Sequence, residues 1–128
     1  MNLFLDDLRY PKEVKWIDIG LGPWEIVRSY DEFVEFITKN GVPTNVAFDH
    51  DLADSHYASQ EPPPEGWKEK TGYDCAVWLI NYCIEKELPF PKEISVHSLN
   101  PVGRENIRNL WRNAITHEKT LRKILKDN

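Results

Sequence analysis

Four short apolar runs, three of them cut off by reactive side chains, limit this chain to a small set of folds. Asn2-Leu3-Phe4-Leu5 stops at Asp6-Asp7, Val46-Ala47-Phe48 at Asp49-His50-Asp51, and Ile94-Ser95-Val96 at His97-Ser98. The remaining run, Trp24-Glu25-Ile26-Val27-Arg28, leads into Ser29. Runs this short predict buried strands rather than helices. Between them lie helical patterns. Ser29 with Glu32 three residues later is a capping box, and Tyr30, Phe33, Val34 and Ile37 follow at helical spacing until Asn40-Gly41 and Pro43. Thr71 with Asp74 repeats the device ahead of Ala76, Leu79, Ile80, Cys83 and Ile84. Asn100 as N-cap and Pro101 at the first helical position open a third helix, with Ile107, Leu110, Trp111 and Ala114 facing the core.

The resulting order is strand, loop, strand, helix, strand, helix, strand, helix. Such alternation predicts an α/β fold with a mostly parallel, four-stranded sheet, helices packed on its faces and right-handed crossovers. Residues 10–23, with Pro11, Gly20, Gly22 and Pro23, predict loop with at most a short helix. Residues 53–70 contain Pro62-Pro63-Pro64 and Gly66, too long for an ordinary connection, and are expected to be a lid or an insertion. Residues 117–128 predict a basic amphipathic helix. At 128 residues the chain is read as one domain, 1–128. No apolar run approaches the roughly 18 residues of a membrane span, and Met1 leads directly into the first strand without a secretory leader, so a cytoplasmic protein with no membrane partner is expected. Cys75 and Cys83, eight apart in a helix, are expected to be buried free thiols.

Charge is unevenly spread. Residues 1–100 carry 9 basic and 18 acidic side chains, whereas residues 101–128 carry 7 and 3. An acidic body with a basic C-terminal stretch suggests either a solvated helix face or a surface for phosphate or nucleic acid.

In open parallel sheets, ligands sit beyond the carboxyl ends of the strands, where three runs place Asp6-Asp7, Asp49-His50-Asp51 and His97-Ser98. Clustered carboxylates stay ionised most easily around a cation, and oxygen ligands suit Mg2+ or Mn2+ better than zinc. Asp6, Asp7, Asp49 and Asp51 are the candidate metal ligands; helix capping and loop hydrogen bonds are their structural alternatives. His97 and His50 are candidates for acid–base catalysis. Ser98, Asn100, Arg104 and Arg9 are candidates for binding phosphate. Arg104 lies near a helix N-terminus, where amides and the dipole also favour anions. Arg108 and Arg112 follow it about 6 and 12 Å along the axis. Arg9 could instead pair with a neighbouring acid.

Four segments in order, Leu5-Asp6-Asp7-Leu8-Arg9 with Pro11, Phe48-Asp49-His50-Asp51-Leu52, Thr71-Gly72-Tyr73-Asp74 and His97-Ser98-x-Asn100-Pro101-x-Gly103-Arg104-x-Asn106, resemble the cyclic-phosphate processing receiver-like domain family. The resemblance runs from Leu3 to about Asn106. It implies a receiver-like, flavodoxin-like three-layer sandwich. The related response-regulator receivers carry an acidic pair after strand 1, a phosphoacceptor Asp after strand 3, Ser or Thr after strand 4 and Lys after strand 5. Asp6-Asp7, Asp49 and Ser98 match the first three, but no fifth strand with a Lys is evident. What the resemblance implies is a hydrolase acting on cyclic phosphates, including 2′,3′-cyclic ends of RNA; together with the clustered carboxylates it leads to the expectation of a metal-dependent phosphoesterase with Asp49 as metal ligand or nucleophile. Two alternatives stand beside it: a signalling module phosphorylated on Asp49, and a non-catalytic protein binding nucleotides or RNA ends.

Overall fold

The computed structural model describes residues 1–52 and 70–127. Four parallel strands form one sheet in the order β2-β1-β3-β4: β1 Asn2–Leu5, β2 Glu25–Val27, β3 Asn45–Phe48 and β4 Glu93–Val96. The helices are α1 Tyr30–Asn40, α2 Gly72–Glu85, α3 Pro101–Thr116 and α4 Glu118–Asp127, and one 3-10 turn spans Pro11–Glu13. The anticipated parallel α/β sheet and its element order are therefore present. The expected lid lies, but for Lys70, outside the described residues.

Period-two alternation decides which side chains share a face. Leu3, Val46 and Ile94 are in register across β1, β3 and β4, as are Leu5, Phe48 and Val96. This face meets Phe33 and Ile37 of α1, Leu79 and Cys83 of α2, and Ile107 and Trp111 of α3 in one continuous core. Phe48 lies at its centre, touching the rings of Phe33 and Trp111. The opposite face presents Phe4 and Ala47, covered by Val14, Ile17, Ile19 and Trp24 from the β1–β2 connection. Handedness explains this division. The step from β1 to β2 runs opposite to the steps from β2 to β3 and from β3 to β4, so right-handed crossovers place residues 6–24 on one face and α1 and α2 on the other. The third layer of the sandwich is thus an irregular segment.

Helix ends follow the sequence closely. Thr71 Oγ1 accepts from Asp74 N–H while the Asp74 carboxylate accepts from Thr71 N–H at 2.8 Å, a reciprocal capping box. Asn100 caps α3 through Gly103 N–H at 3.1 Å. Ser29 caps α1, but Glu32 reaches Arg28 N–H at 3.0 Å, not the cap residue's own N–H, so that anticipated box is only half formed. Both cysteines are free and buried as expected. The basic C-terminal stretch has partly structural work: Arg122 donates to Leu88 O at 2.8 Å, pairs with Glu118 at 2.8 Å and lies over the Phe90 ring, fixing α4 to the end of α2.

Removal of the α2 cap is expected to cost about 1 kcal/mol. Urea denaturation of Thr71→Ala should show a lower midpoint with an unchanged slope.

Candidate active site

The alternation that fills the core also builds the site. Continued one residue past each strand end, the face carrying Phe4, Ala47 and Ser95 brings Asp6, Asp49 and His97 side by side across β1, β3 and β4. Their ligating atoms all lie within 4.8 Å of one another, and all three residues are buried. Backbone bonds lock this register beyond the ladder: Asp49 N–H donates to Leu5 O at 3.0 Å and His97 N–H to Phe48 O at 2.9 Å.

Asp6 is the most heavily bonded member. Its Oδ1 accepts from Leu8 N–H at 2.9 Å and Arg9 N–H at 2.8 Å; its Oδ2 faces His97 Nε2 at 3.0 Å and Arg9 Nη1 at 3.4 Å. Burial alone would raise its pKa, but the His97 hydrogen bond and the Arg9 and Leu8 amides outweigh it and hold the carboxyl well below the usual carboxylate range. Asp49 has the opposite balance. No described donor reaches its carboxylate; burial first and the charge of Asp6 second push it up to about 6. Asp7 is also raised, by burial and then by the Asp6 charge.

His97 is wholly buried, its ring stacked on Phe4 at 4.6 Å, and its Nδ1 has no partner. Its carbonyl accepts from Trp16 Nε1 at 2.8 Å, and Arg9 lies over the Trp16 ring. Arg28 donates to the Asp6 and Arg9 carbonyls and stacks on Tyr10. The irregular third layer is thereby tied to the strand ends.

A cavity of about 440 Å³ opens over the strand ends, lined by Asp7, Leu8, Arg9, Asp49, Asp51, Ser98, Leu99 and Asn100. Of the anticipated site residues, Arg9, Ser98 and Asn100 are in it, as are Asp7, Asp49 and Asp51. Asp6 and His97 sit beneath it, and His50 and Arg104 are not among its lining residues. Arg104 Nε is buried and has no partner among the described residues, and of the two side chains expected to hold phosphate together only Ser98 lines the cavity. Asp51 is exposed and bonded to His50 Nδ1 at 2.8 Å and to Asn100 Nδ2 at 3.3 Å, apart from the Asp6–Asp49–His97 group. Ser98 Oγ accepts from Asn100 N–H at 3.1 Å, the loop-capping role.

Two glycines set the clearance around Asp49-His50. A Cβ on Gly72 would lie 1.7 Å from Asp49 O, and one on Gly103 would lie 2.3 Å from the His50 ring. The first turns of α2 and α3 therefore touch the loop after β3 directly. Gly72, Gly103, Trp16 and Arg28 were not identified from sequence as supports of the site. The only signal was glycine in the first turn of two helices, where it is a poor helix former.

Parallel order β2-β1-β3-β4, acids after β1 and β3, and a serine after β4 define a receiver-like α/β domain. Residues 1–113 match the cyclic-phosphate processing receiver domain, and the chain belongs to that family. No curated protein and no solved structure matches it significantly. Among the described residues, no helix is long and apolar enough to cross a membrane.

Because Asp49 titrates higher folded than unfolded, the folded chain binds more protons between about pH 4 and pH 6, and stability falls as pH rises through that window. Asp49→Asn removes this penalty. The variant should be more stable than the native chain at pH 7.5, by on the order of 2 kcal/mol, and the gap should close by pH 4. Urea midpoints measured across that range check both.

Proposed function

We propose that this domain hydrolyses a cyclic phosphodiester at the cavity over Asp49, with Mg2+ or Mn2+ as cofactor and 2′,3′-cyclic nucleotide or RNA ends as the substrate class. The observation that carries the proposal is the state of Asp49: a buried carboxylate at the cavity floor, with no described donor, beside the ionised Asp6. Two carboxylates this close want a positive group between them. Asp6, Asp49 and His97 fit a divalent cation, with Asp7 at the rim to complete an oxygen-rich set. When bound, the cation would neutralise phosphate charge and make water more acidic.

The chain's own residues supply the rest. Hydrolysis forms a bond from a water oxygen to phosphorus and breaks one ring P–O bond. One proton leaves the water, and the departing ribose oxygen gains one. Asp49, ionised when a cation is held beside it, is suited to accept the proton from water. Arg9, the Asn100 amide and Ser98 Oγ donate to the phosphate oxygens as negative charge grows. His97, sealed against Phe4 with Nε2 on Asp6, acts as a positioning residue that keeps Asp6 ionised and oriented. His50, bonded to Asp51 and packed against Gly103, is the remaining candidate acid for the leaving oxygen. Leu8 and Leu99, both strongly exposed beside the cavity, offer apolar area to a ribose or base.

A ring-opening assay on a 2′,3′-cyclic mononucleotide and a cyclic-ended oligonucleotide tests the proposal. Metal-dependent turnover is expected, reduced by about 100-fold or more in Asp49→Asn and abolished by chelator. Absence of turnover on both substrates by the folded protein would contradict it, and stable labelling of Asp49 by a small phosphodonor would favour the signalling alternative. His97→Asn separates positioning from proton transfer. A positioning role predicts lower kcat/KM with both limbs of the pH profile retained, whereas an acid–base role predicts loss of one limb.

A further inference from the structure

Among the described residues the sheet ends at β4, which pairs only with β3. In a parallel strand, successive residues turn their N–H and C=O groups to alternate sides. Glu93 N–H donates to Thr44 O and His97 N–H to Phe48 O, so odd-numbered residues face β3 and Ile94 and Val96 face the open side. Two cavities adjoin this edge, one reaching from α3 across to Ile17 and Asp18 and one on the face that residues 14–24 pack against. The helix-side cavity, about 400 Å³, is lined by Pro91, Ile94, Val96, Trp111 and Ile115, with Lys92, Arg108, Arg112 and Asp18 around it. The other, about 420 Å³, is lined by Ile19, Trp24, Asn45, Glu93 and Ser95, with Asp18 and Lys92 again at its border. Ile94, Ser95, Lys92 and Asp18 line both, so β4 forms the ridge between two grooves.

We propose that this edge is a docking site for an extended acidic segment of a partner protein, which adds to β4 as a fifth strand. A strand laid against β4 would place alternate side chains in the two cavities, which neither a helix nor a flat surface would do. Its main chain would meet the outward groups of Ile94. On the helix side, three cations face one carboxylate, in a chain whose overall charge is −5. Among the described residues, Arg108 bonds only to the exposed Glu105 and Arg112 only to Asn109, so both can turn to a ligand. Trp111 Nε1, buried and with no partner among the described residues, is a donor in the same wall. Acidic side chains therefore suit the helix-side positions, and small neutral ones suit the other side, where Asp18 and Glu93 oppose one lysine. A second copy is a poorer occupant, since its edge would bring Lys92, Arg108 and Arg112 against the same three cations.

The full-length, isotope-labelled protein titrated with the capped peptide Glu-Thr-Ile-Thr-Val-Thr-Glu tests this by amide and indole NMR. Shifts centred on the Ile94 and Val96 amides and the Trp111 indole are expected, saturating below about 1 mM. The matching peptide with lysines at both ends should bind at least about fivefold more weakly. Arg108→Glu with Arg112→Glu, both exposed and outside the core, should weaken the acidic peptide to a similar degree. Ile94→Pro removes an outward N–H without touching the ladder to β3, and should abolish strand addition. The proposal is overturned if the acidic peptide moves none of these resonances, or if both peptides bind alike. It is equally overturned if a short oligouridylate occupies the groove more tightly than the peptide, or if sedimentation shows that a second copy already covers the edge.

Discussion

Everything at the carboxyl edge of this sheet depends on one buried hydrogen-bonded pair, Asp6 with His97. Asp6 cannot be left unpaired with no exposed surface, because an isolated buried carboxylate is too costly. His97 from β4, the Arg9 guanidinium and two loop amides satisfy it, and these come from both sides of the site. The pair therefore joins β1 to β4 across β3, turns the chain after β1 into its return path, and fixes the charge that Asp49 feels. The pKa of Asp49 is raised first by its own burial and then by the Asp6 charge, so the stabilised charge of one acid adds to the penalty borne by its neighbour.

The same pair accounts for the irregular third layer. Residues 6–24 contain no α-helix, yet they cover a full face of the sheet. Asp6 starts the segment, Trp16 attaches it to the His97 carbonyl with Arg9 over its ring, and Arg28 closes it by holding the Asp6 and Arg9 carbonyls. Structure that would ordinarily come from helical hydrogen bonds comes here from side chains that also shape the site. Function and cover are thus carried by one segment, and changes in either should be felt in the other.

Much of this was legible in the sequence, because it follows from local rules. Apolar runs ending at Asp6, Asp49 and His97 located the strands and their reactive ends. Thr71 with Asp74, and Asn100 with Pro101, located two helix starts. What local rules could not supply was depth. Asp6, Asp7, Asp49 and Asp51 look equivalent as carboxylates after strands, but register sinks Asp6 and Asp49 beside His97 and leaves Asp51 exposed with Asn100. Arg104 has the right place in α3 for an anion site, yet its side chain is not at the cavity. Gly72 and Gly103 matter through clearances between segments far apart in sequence, which no local pattern reports.

The central claim is that Asp49 is held partly protonated by Asp6 in a site shaped for a cation. Site-resolved carboxyl NMR on the labelled protein measures it directly, following Asp49 against pH with and without Mg2+. The account predicts a midpoint near 6 without metal and a fall to or below the ordinary carboxylate range, about 4, when Mg2+ is added. A midpoint near 4 in both conditions would contradict it, since Asp49 would then feel neither its burial nor its neighbour.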